Sequence, residues 1–256
     1  MTANRFFLPQ PALPDSVLWI EGAEHHHLSR VARVRQGETI ELFDEEGRQY
    51  RAVVEKVALK KTLVRILSRQ EAEEPAVAVL LAPALLKAQA MEFLVQKATE
   101  IAVSALAPIM AERSVVKIGG DPSAALHRWS RIAREAAKQC KTGLVPDIKK
   151  PQALEEFLSR DRSDLRLVLS EGGGAYLRDV LMSNSNSPRP GAGRGSSAGP
   201  LAQVCLLVGP EGGWSPGEET LVREHGFRPV SLGRSVLRTE TAALCAAFLV
   251  NHFWNA

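Results

Sequence analysis

The sequence predicts an α/β protein in two parts, a small β-rich N-terminal domain followed by a larger domain built on a parallel sheet. Three observations predict it. Up to about residue 70, polar and apolar residues alternate in short runs broken by turn signals. From Ala76, short apolar runs of strand length alternate with longer stretches of helical periodicity. Several of those later runs end in glycine-rich or polar turns, the place where open α/β sheets bind ligands.

Taken in order, Phe6 and Phe7 fit a core rather than a surface. Glu38 to Phe43 alternates polar with apolar or β-branched residues, Asp44-Glu45-Glu46-Gly47 is a turn signal, and Arg48 to Val57 resumes strand character. Thr62 to Leu67 alternates again, so residues 1–70 read as a small barrel. Glu71 to Pro75 reads as a linker, with residues 76–256 as the second domain. There, Val77 to Ala82 is a strand, followed by a helix with Met91, Leu94, Val95, Ala98 and Ala102 on one face. A further helix is predicted from about Asp121 to Thr142, with Asp121 or Ser123 as its cap. Leu165 to Leu169, Val204 to Val208 and Pro229 to Leu232 read as strands, and Thr239 to Phe253 as a closing helix. Ser183 to Pro200 carries almost no bulky apolar residue and reads as a flexible loop (183–200). No internal repeat is visible.

Composition excludes several classes. With 256 residues, 45% of them hydrophobic, the chain can bury a sizeable core. No apolar run reaches bilayer length, and Met1 to Gln10 lacks a basic stretch followed by an apolar one. A cytoplasmic, membrane-free protein is therefore expected. Cys140, Cys205 and Cys245 show no paired spacing, which argues against zinc or disulfides, and their apolar neighbours suit small buried side chains. The side chains of His25-His26-His27 diverge, so they suit a structural or RNA-facing use and no metal is expected. A net charge of +3 permits a nucleic-acid partner without requiring one.

The first motif is Gly209-Pro210-Glu211-Gly212-Gly213, directly after the run Val204 to Val208. Trp214 and Ser215 follow in place of the Gly-Lys-Ser/Thr of a phosphate loop. No G-x-G-x-x-G occurs, not even around Gly172-Gly173-Gly174, which disfavours a nucleotide-dependent dehydrogenase. A tight turn needed only for folding explains the spacing equally well. The second motif, Leu232-Gly233-Arg234-Ser235-Val236-Leu237-Arg238-Thr239-Glu240-Thr241-Ala242, again sets glycine and polar residues between strand and helix. Thr239 suits an N-cap, Glu240 suits the positive helix end, and Arg238 is a fixed cation at the same sheet edge. A capped helix explains Thr239 and Glu240. It does not explain why Ser170-Glu171-Gly172 would end a third strand at that edge.

At helical spacing, Arg128, Arg131, Arg134, Lys138 and Lys141 fall on one arc, opposite Leu126, Trp129, Ile132, Ala133, Ala136, Ala137 and Cys140. A solvated face is the commoner origin of a charge run. Here Glu135 is the sole acid among the cations, which points instead to phosphates. Arg5, Arg30, Arg33 and Arg35 would extend that surface, although residues 1–70 are nearly balanced in charge.

The paired C-terminal motifs resemble those of the ribosomal small-subunit uridine N3-methyltransferases, the methyltransferase E family of the SPOUT class. Arg5-Phe6-Phe7 matches the family's start. His27, Val31-Ala32-Arg33 and Gly37 match its PUA-like β-barrel, with Ala32 where leucine is usual. Gln96-Lys97-Ala98-Thr99-Glu100 matches the first helix of its catalytic domain. Two departures stand out: Lys141-Thr142 replaces a family arginine after Gln139-Cys140, and Ser183 to Pro200 is longer than the pattern. The resemblance implies a C-terminal SPOUT α/β domain with a trefoil knot, one of the known exceptions to unknotted chains. It implies S-adenosylmethionine as cofactor, which has no phosphate and so fits the missing phosphate loop.

The cofactor would be held by Leu169, Ser170 and Glu171 of one loop and Val208, Gly209, Pro210 and Gly212 of the next. Leu232, Gly233, Leu237, Arg238, Thr239, Thr241 and Ala242 would complete the clasp. Arg238 would either stabilise charge developing on the uracil oxygens or hold the cofactor's carboxylate. Glu211 and Glu240 equally suit helix caps, so no general base is assigned. RNA contacts would come from Arg5, Arg30, Arg33, Arg113, Arg128, Arg131, Arg134 and Lys138. The implied partners are 16S ribosomal RNA within the small subunit and a second copy of the chain, with the pocket beside the subunit interface. A non-enzymatic RNA-binding protein is the alternative.

Overall fold

The computed structural model describes residues 5–72, 75–114, 116, 122–140, 144–185 and 202–255. The chain divides into two compact units, one of residues 1–74 with 134–145, the other of residues 75–133 with 146–256.

In the first unit, β1 (Arg5–Phe7), β2 (Val17–Glu21), β3 (Thr39–Phe43), β4 (Gln49–Val57) and β5 (Lys61–Gln70) form one sheet in the order β1-β3-β4-β5-β2. β1 runs parallel to β3, and the other pairings are antiparallel. Among the described pairings β1 and β2 remain edges, so the expected barrel is an open, curled sheet. Alternation does the sorting: Tyr50, Ala52 and Val54 of β4 are buried while Arg51 is exposed. They join Phe6, Leu28, Ile40, Leu42, Val64 and Ile66 in the core. The predicted turn is held by Asp44, whose carboxylate accepts from the Glu46 and Arg48 amides, Arg48 Nε and, at 2.6 Å, Tyr50 Oη. Helix α1 (Gly22–His26) continues into a π-turn over His27–Val31. His25 is buried there with Nδ1 at 2.9 Å from Thr62 Oγ1, whereas His27 packs edge-on against Phe6, a structural use of the histidines.

The second unit contains β6 (Ala78–Pro83), α2 (Ala88–Glu100), β7 (Ala105–Leu106), β8 (Ile109–Met110), then helix α3 (Ser123–Cys140), whose second half belongs to the first unit. It continues with β9 (Asp147–Ile148), β10 (Gln152–Ala153), α4 (Leu154–Arg160), β11 (Leu165–Leu169), β12 (Ala175–Tyr176) and α5 (Leu177–Ser183). β13 (Gln203–Val208), α6 (Pro216–Glu224), β14 (Arg228–Ser231) and α7 (Thr239–Asn255) complete it. Seven strands form a parallel sheet in the order β12-β14-β11-β13-β6-β7-β9. β13 lies inside it, and Val204 to Val208 are buried, as a strand covered on both faces requires.

Four expectations need correction. Ala102 is not on α2, which stops at Glu100. Ala102 takes a left-handed conformation with φ of 56°, and Asn251 Nδ2 donates to the Ile101 carbonyl just beyond the helix end. Cys245 is exposed because it falls on the outward stripe of α7, while Cys205 on β13 is buried. Thr239 does not cap α7; it is the first helical residue, and its hydroxyl donates inward to the Gly209 carbonyl. Ser183 belongs to α5 rather than to the following loop, of which residues 186–200 lie outside the described residues. The helix predicted over about 121–142 is described over Ser123–Cys140, while Asp121, Lys141 and Thr142 lie outside the described residues.

Candidate active site

β14, β11 and β13 are neighbours and parallel, so their carboxyl ends share one edge. The loops after them, with the start of α7, enclose a cavity of about 380 Å³. That is the size of a small-molecule site, roughly 300–1,000 Å³. Ser170 N donates to the Val230 carbonyl and ties the first loop to β14. In the second loop Gly213, with φ of 69°, closes a turn by donating to the Pro210 carbonyl at 2.8 Å. Gly209 is required by a close approach: a Cβ there would lie 2.9 Å from Nε1 of the buried Trp214 indole. Thr239 Oγ1 donates to the Gly209 carbonyl at 3.1 Å, joining the second loop to α7. In the third loop Ser231 Oγ donates to the Gly233 carbonyl and accepts from its amide.

Below the second loop, Pro216 opens α6 and Ser215 with Glu218 forms a capping box, so glycine loop and helix start form one braced unit. The cavity wall is mixed: Val168, Val208, Pro210, Leu232, Leu237 and Ala242 are apolar, and Ser170, Ser231, Ser235 and Thr239 add hydroxyls. Both signs of charge reach it. Glu171, Glu219, Arg223 and Arg234 are among its lining residues, with Arg223 held 3.5 Å from Glu219.

Of the sequence-predicted residues, Leu169, Ser170, Glu171, Val208, Gly209, Pro210, Leu232, Gly233, Leu237, Thr239 and Ala242 line this cavity. Gly212, Arg238 and Thr241 do not. On α7 Thr239 and Ala242 turn inward while Thr241 is exposed, and Arg238, just before the helix, is exposed as well. Trp214, Ser231, Arg234 and Val236 were missed. Trp214 follows the glycine motif directly, but only the structure sets its ring against Gly209.

The candidate RNA residues scatter. Arg30, Arg33 and Arg131 are exposed. Arg128 is exposed but bonded to Glu92 at 2.7 Å. Arg134 is half-buried with its guanidinium 5.1 Å from the Phe7 ring centre. Lys138 is not a surface cation; its ammonium is buried against Glu24 and Glu135, because its turn of α3 packs on the sheet at Phe7 and Phe43. Arg5 is buried over the Phe43 ring, and burial lowers its pKa from the ordinary arginine value. Arg113 spends its guanidinium on the Gly212 and Trp214 carbonyls. No cluster of potential metal ligands occurs among the described residues, and no described helix is long and apolar enough to cross a membrane.

A parallel sheet with a ligand-sized cavity at its strand ends, following a curled β-unit, matches two family models. Residues 72–251 match the RNA methyltransferase domain and residues 20–67 the RNA methyltransferase PUA domain, so the chain is of the RNA methyltransferase class. The ribosomal RNA small subunit methyltransferase E of Synechocystis is 31% identical across 97% of this chain and 77% of its own length. That of Mycobacterium bovis is 30% identical across 100% and 95%. The chain belongs to the ribosomal RNA small subunit methyltransferase E family. The crystal structure of a member from Neisseria gonorrhoeae, bound to S-adenosyl methionine, superposes with a TM-score of 0.83 at 28% identity, covering 98% of each chain.

Proposed function

We propose that this chain transfers a methyl group from S-adenosylmethionine to N3 of a uridine in small-subunit ribosomal RNA. The cavity at the β11, β13 and β14 ends carries the proposal, supported by the names of the relatives and the cofactor in the Neisseria structure. The residues present fit that cofactor. Its adenosine suits apolar walls and backbone groups, and its opposite charges suit a lining with both carboxylates and guanidiniums. When bound, it supplies a methyl group already activated on a sulfonium.

The loops around Ser170, Gly209 and Leu237 would hold and orient the cofactor and exclude water. Uracil N3 carries a proton and becomes a good nucleophile only when that proton leaves, so the site must stabilise negative charge on the uracil oxygens. We assign the stabilisation of that charge to the arginines of loop 232–238, with the N3 proton passing to solvent. Arg234 lines the cavity, and Arg238 stands exposed between two lining residues. The knot belongs to the same proposal. It is supported by β11 lying between β13 and β14, so that the chain leaving β13 must cross β11 to reach β14. A homodimer is supported by the outward stripe of α7, where Phe248, Leu249 and Phe253 are exposed. A purely RNA-binding protein would leave the cavity without a use.

The test is nucleoside analysis of small-subunit RNA after incubation with purified protein and S-adenosylmethionine, with primer extension along the same RNA. The expected product is 3-methyluridine, with a new stop one nucleotide before it, since the methyl removes the pairing proton. A methyl on ribose or on another base would overturn the proposed reaction.

A further inference from the structure

We propose that Arg113 is a positioning residue for the cofactor pocket, a clamp on the outside of loop 209–215, and not an RNA contact. The inference rests on the reading of the cavity as the cofactor site. Arg113 Nη1 donates to the Gly212 carbonyl at 3.2 Å and to the Trp214 carbonyl at 3.4 Å. The same turn grips the loop a second time. The Glu112 amide donates to Glu218 Oε1 at 2.8 Å, while Glu218 Oε2 accepts from the Ser215 amide at 2.9 Å. Glu218 is thus shared between the cap of α6 and the backbone of the 111–114 turn.

That turn is a firm anchor. It follows β8, where Ile109 is fully buried, and it closes on itself through Ser114 N to the Ala111 carbonyl and Ala111 N to Ser114 Oγ. The loop it holds is soft by composition. Gly209, Gly212 and Gly213 have wide backbone freedom, and the bond from Gly213 N to the Pro210 carbonyl is a single internal tie. Trp214 transmits the clamp. Its carbonyl is held by Arg113, and its indole stands against Gly209, which lines the cavity. Fixing residues 212 and 214 therefore fixes where the backbone of residue 209 stands. A guanidinium suits this task, because its rigid plane fixes one Nη1 nitrogen between both carbonyls.

The experiment compares the full chain with Arg113→Ala and Arg113→Lys. S-adenosylmethionine affinity is read by calorimetry, methyl-transfer kinetics at saturating cofactor, and RNA affinity over a salt series. Arg113→Ala should weaken cofactor binding about tenfold and raise the KM for it, with kcat nearly unchanged at saturation. Arg113→Lys should weaken it about threefold, since an ammonium on a flexible stem replaces the rigid guanidinium, and it serves as the measured variant if the alanine protein does not fold. The slope of log RNA affinity against log salt should not change in either. Unchanged cofactor affinity in the variants, or a slope smaller by about one unit as for a lost phosphate contact, would overturn the proposal. No cofactor binding by the unsubstituted chain would overturn the cofactor reading itself, and the clamp with it.

Discussion

Glycines with the same letter in the sequence meet different physical demands at the site. Gly209 has ordinary backbone angles but no room: a Cβ would press on the buried Trp214 indole at 2.9 Å. Gly209→Ala should therefore keep the fold and weaken S-adenosylmethionine binding at least tenfold by calorimetry. Gly174 has neither room nor ordinary angles, with φ of 126° and a Cβ position 2.5 Å from the Pro229 carbonyl. Gly174→Ala should cost about 2 kcal/mol or more in urea unfolding. Gly213 has a positive φ with nothing within 4 Å of its Cβ position, so Gly213→Ala should cost only about 1 kcal/mol. Burial pushes the Cys205 thiol well above its ordinary pKa and shields it from reagents. Alkylation followed by mass analysis should find Cys205 unmodified until the chain is unfolded.

At the scale of elements, α3 shows how one helix face divides its work. The arc of cations reads as uniform in sequence, but its turns meet different surroundings. Arg128 and Arg131 are exposed, whereas Lys138 is 7% exposed at its side chain and paired with Glu24. Charge removal at Arg128 and Arg131 together should lower the salt slope of RNA binding by about two units. Lys138→Gln should leave that slope unchanged and instead destabilise the chain by up to about 3 kcal/mol, since it strands Glu24 without its partner. A slope that fell with Lys138→Gln would return Lys138 to the RNA surface. Helix α7 divides its work in a comparable way. Thr239 and Ala242 face the cavity, while Phe248, Leu249 and Phe253 face outward.

For the whole molecule, that outward stripe of α7 predicts the state of assembly. It combines two phenylalanines and a leucine with His252, whose ring stacks on Phe248 at 5.5 Å. Large apolar side chains grouped on one helix face seldom stay in water. The purified chain should sediment as a dimer, and Phe248→Glu with Leu249→Glu should yield a folded monomer. Because α7 begins at the cavity, the monomer should also bind S-adenosylmethionine more weakly. A wild-type monomer at micromolar concentration would sink the assembly prediction.

The amino-acid sequence alone determined the longer elements and the edge at which the site forms, while β7 to β10, α4, α5 and α6 were not read from it. Turn chemistry and hydrophobic period are local, so Asp44-Glu45-Glu46-Gly47, the runs ending at Leu169 and Val208, and the glycine motifs after them were legible without a fold. Which side chains meet was decided only by the tertiary structure. Arg113 grips Gly212 across 99 positions, and Lys138 finds Glu24 across 114. Nothing in the local pattern marks Arg113 as engaged, and for Lys138 it marks only the nearby Glu135 on the same helix. Arg238 shows the limit within one turn of helix. Its place beside the cavity was legible, but its outward aim depended on Thr239 turning in to bond Gly209. Periodicity fixes which residues share a face, and only the packing of the strands beneath decides what that face looks upon.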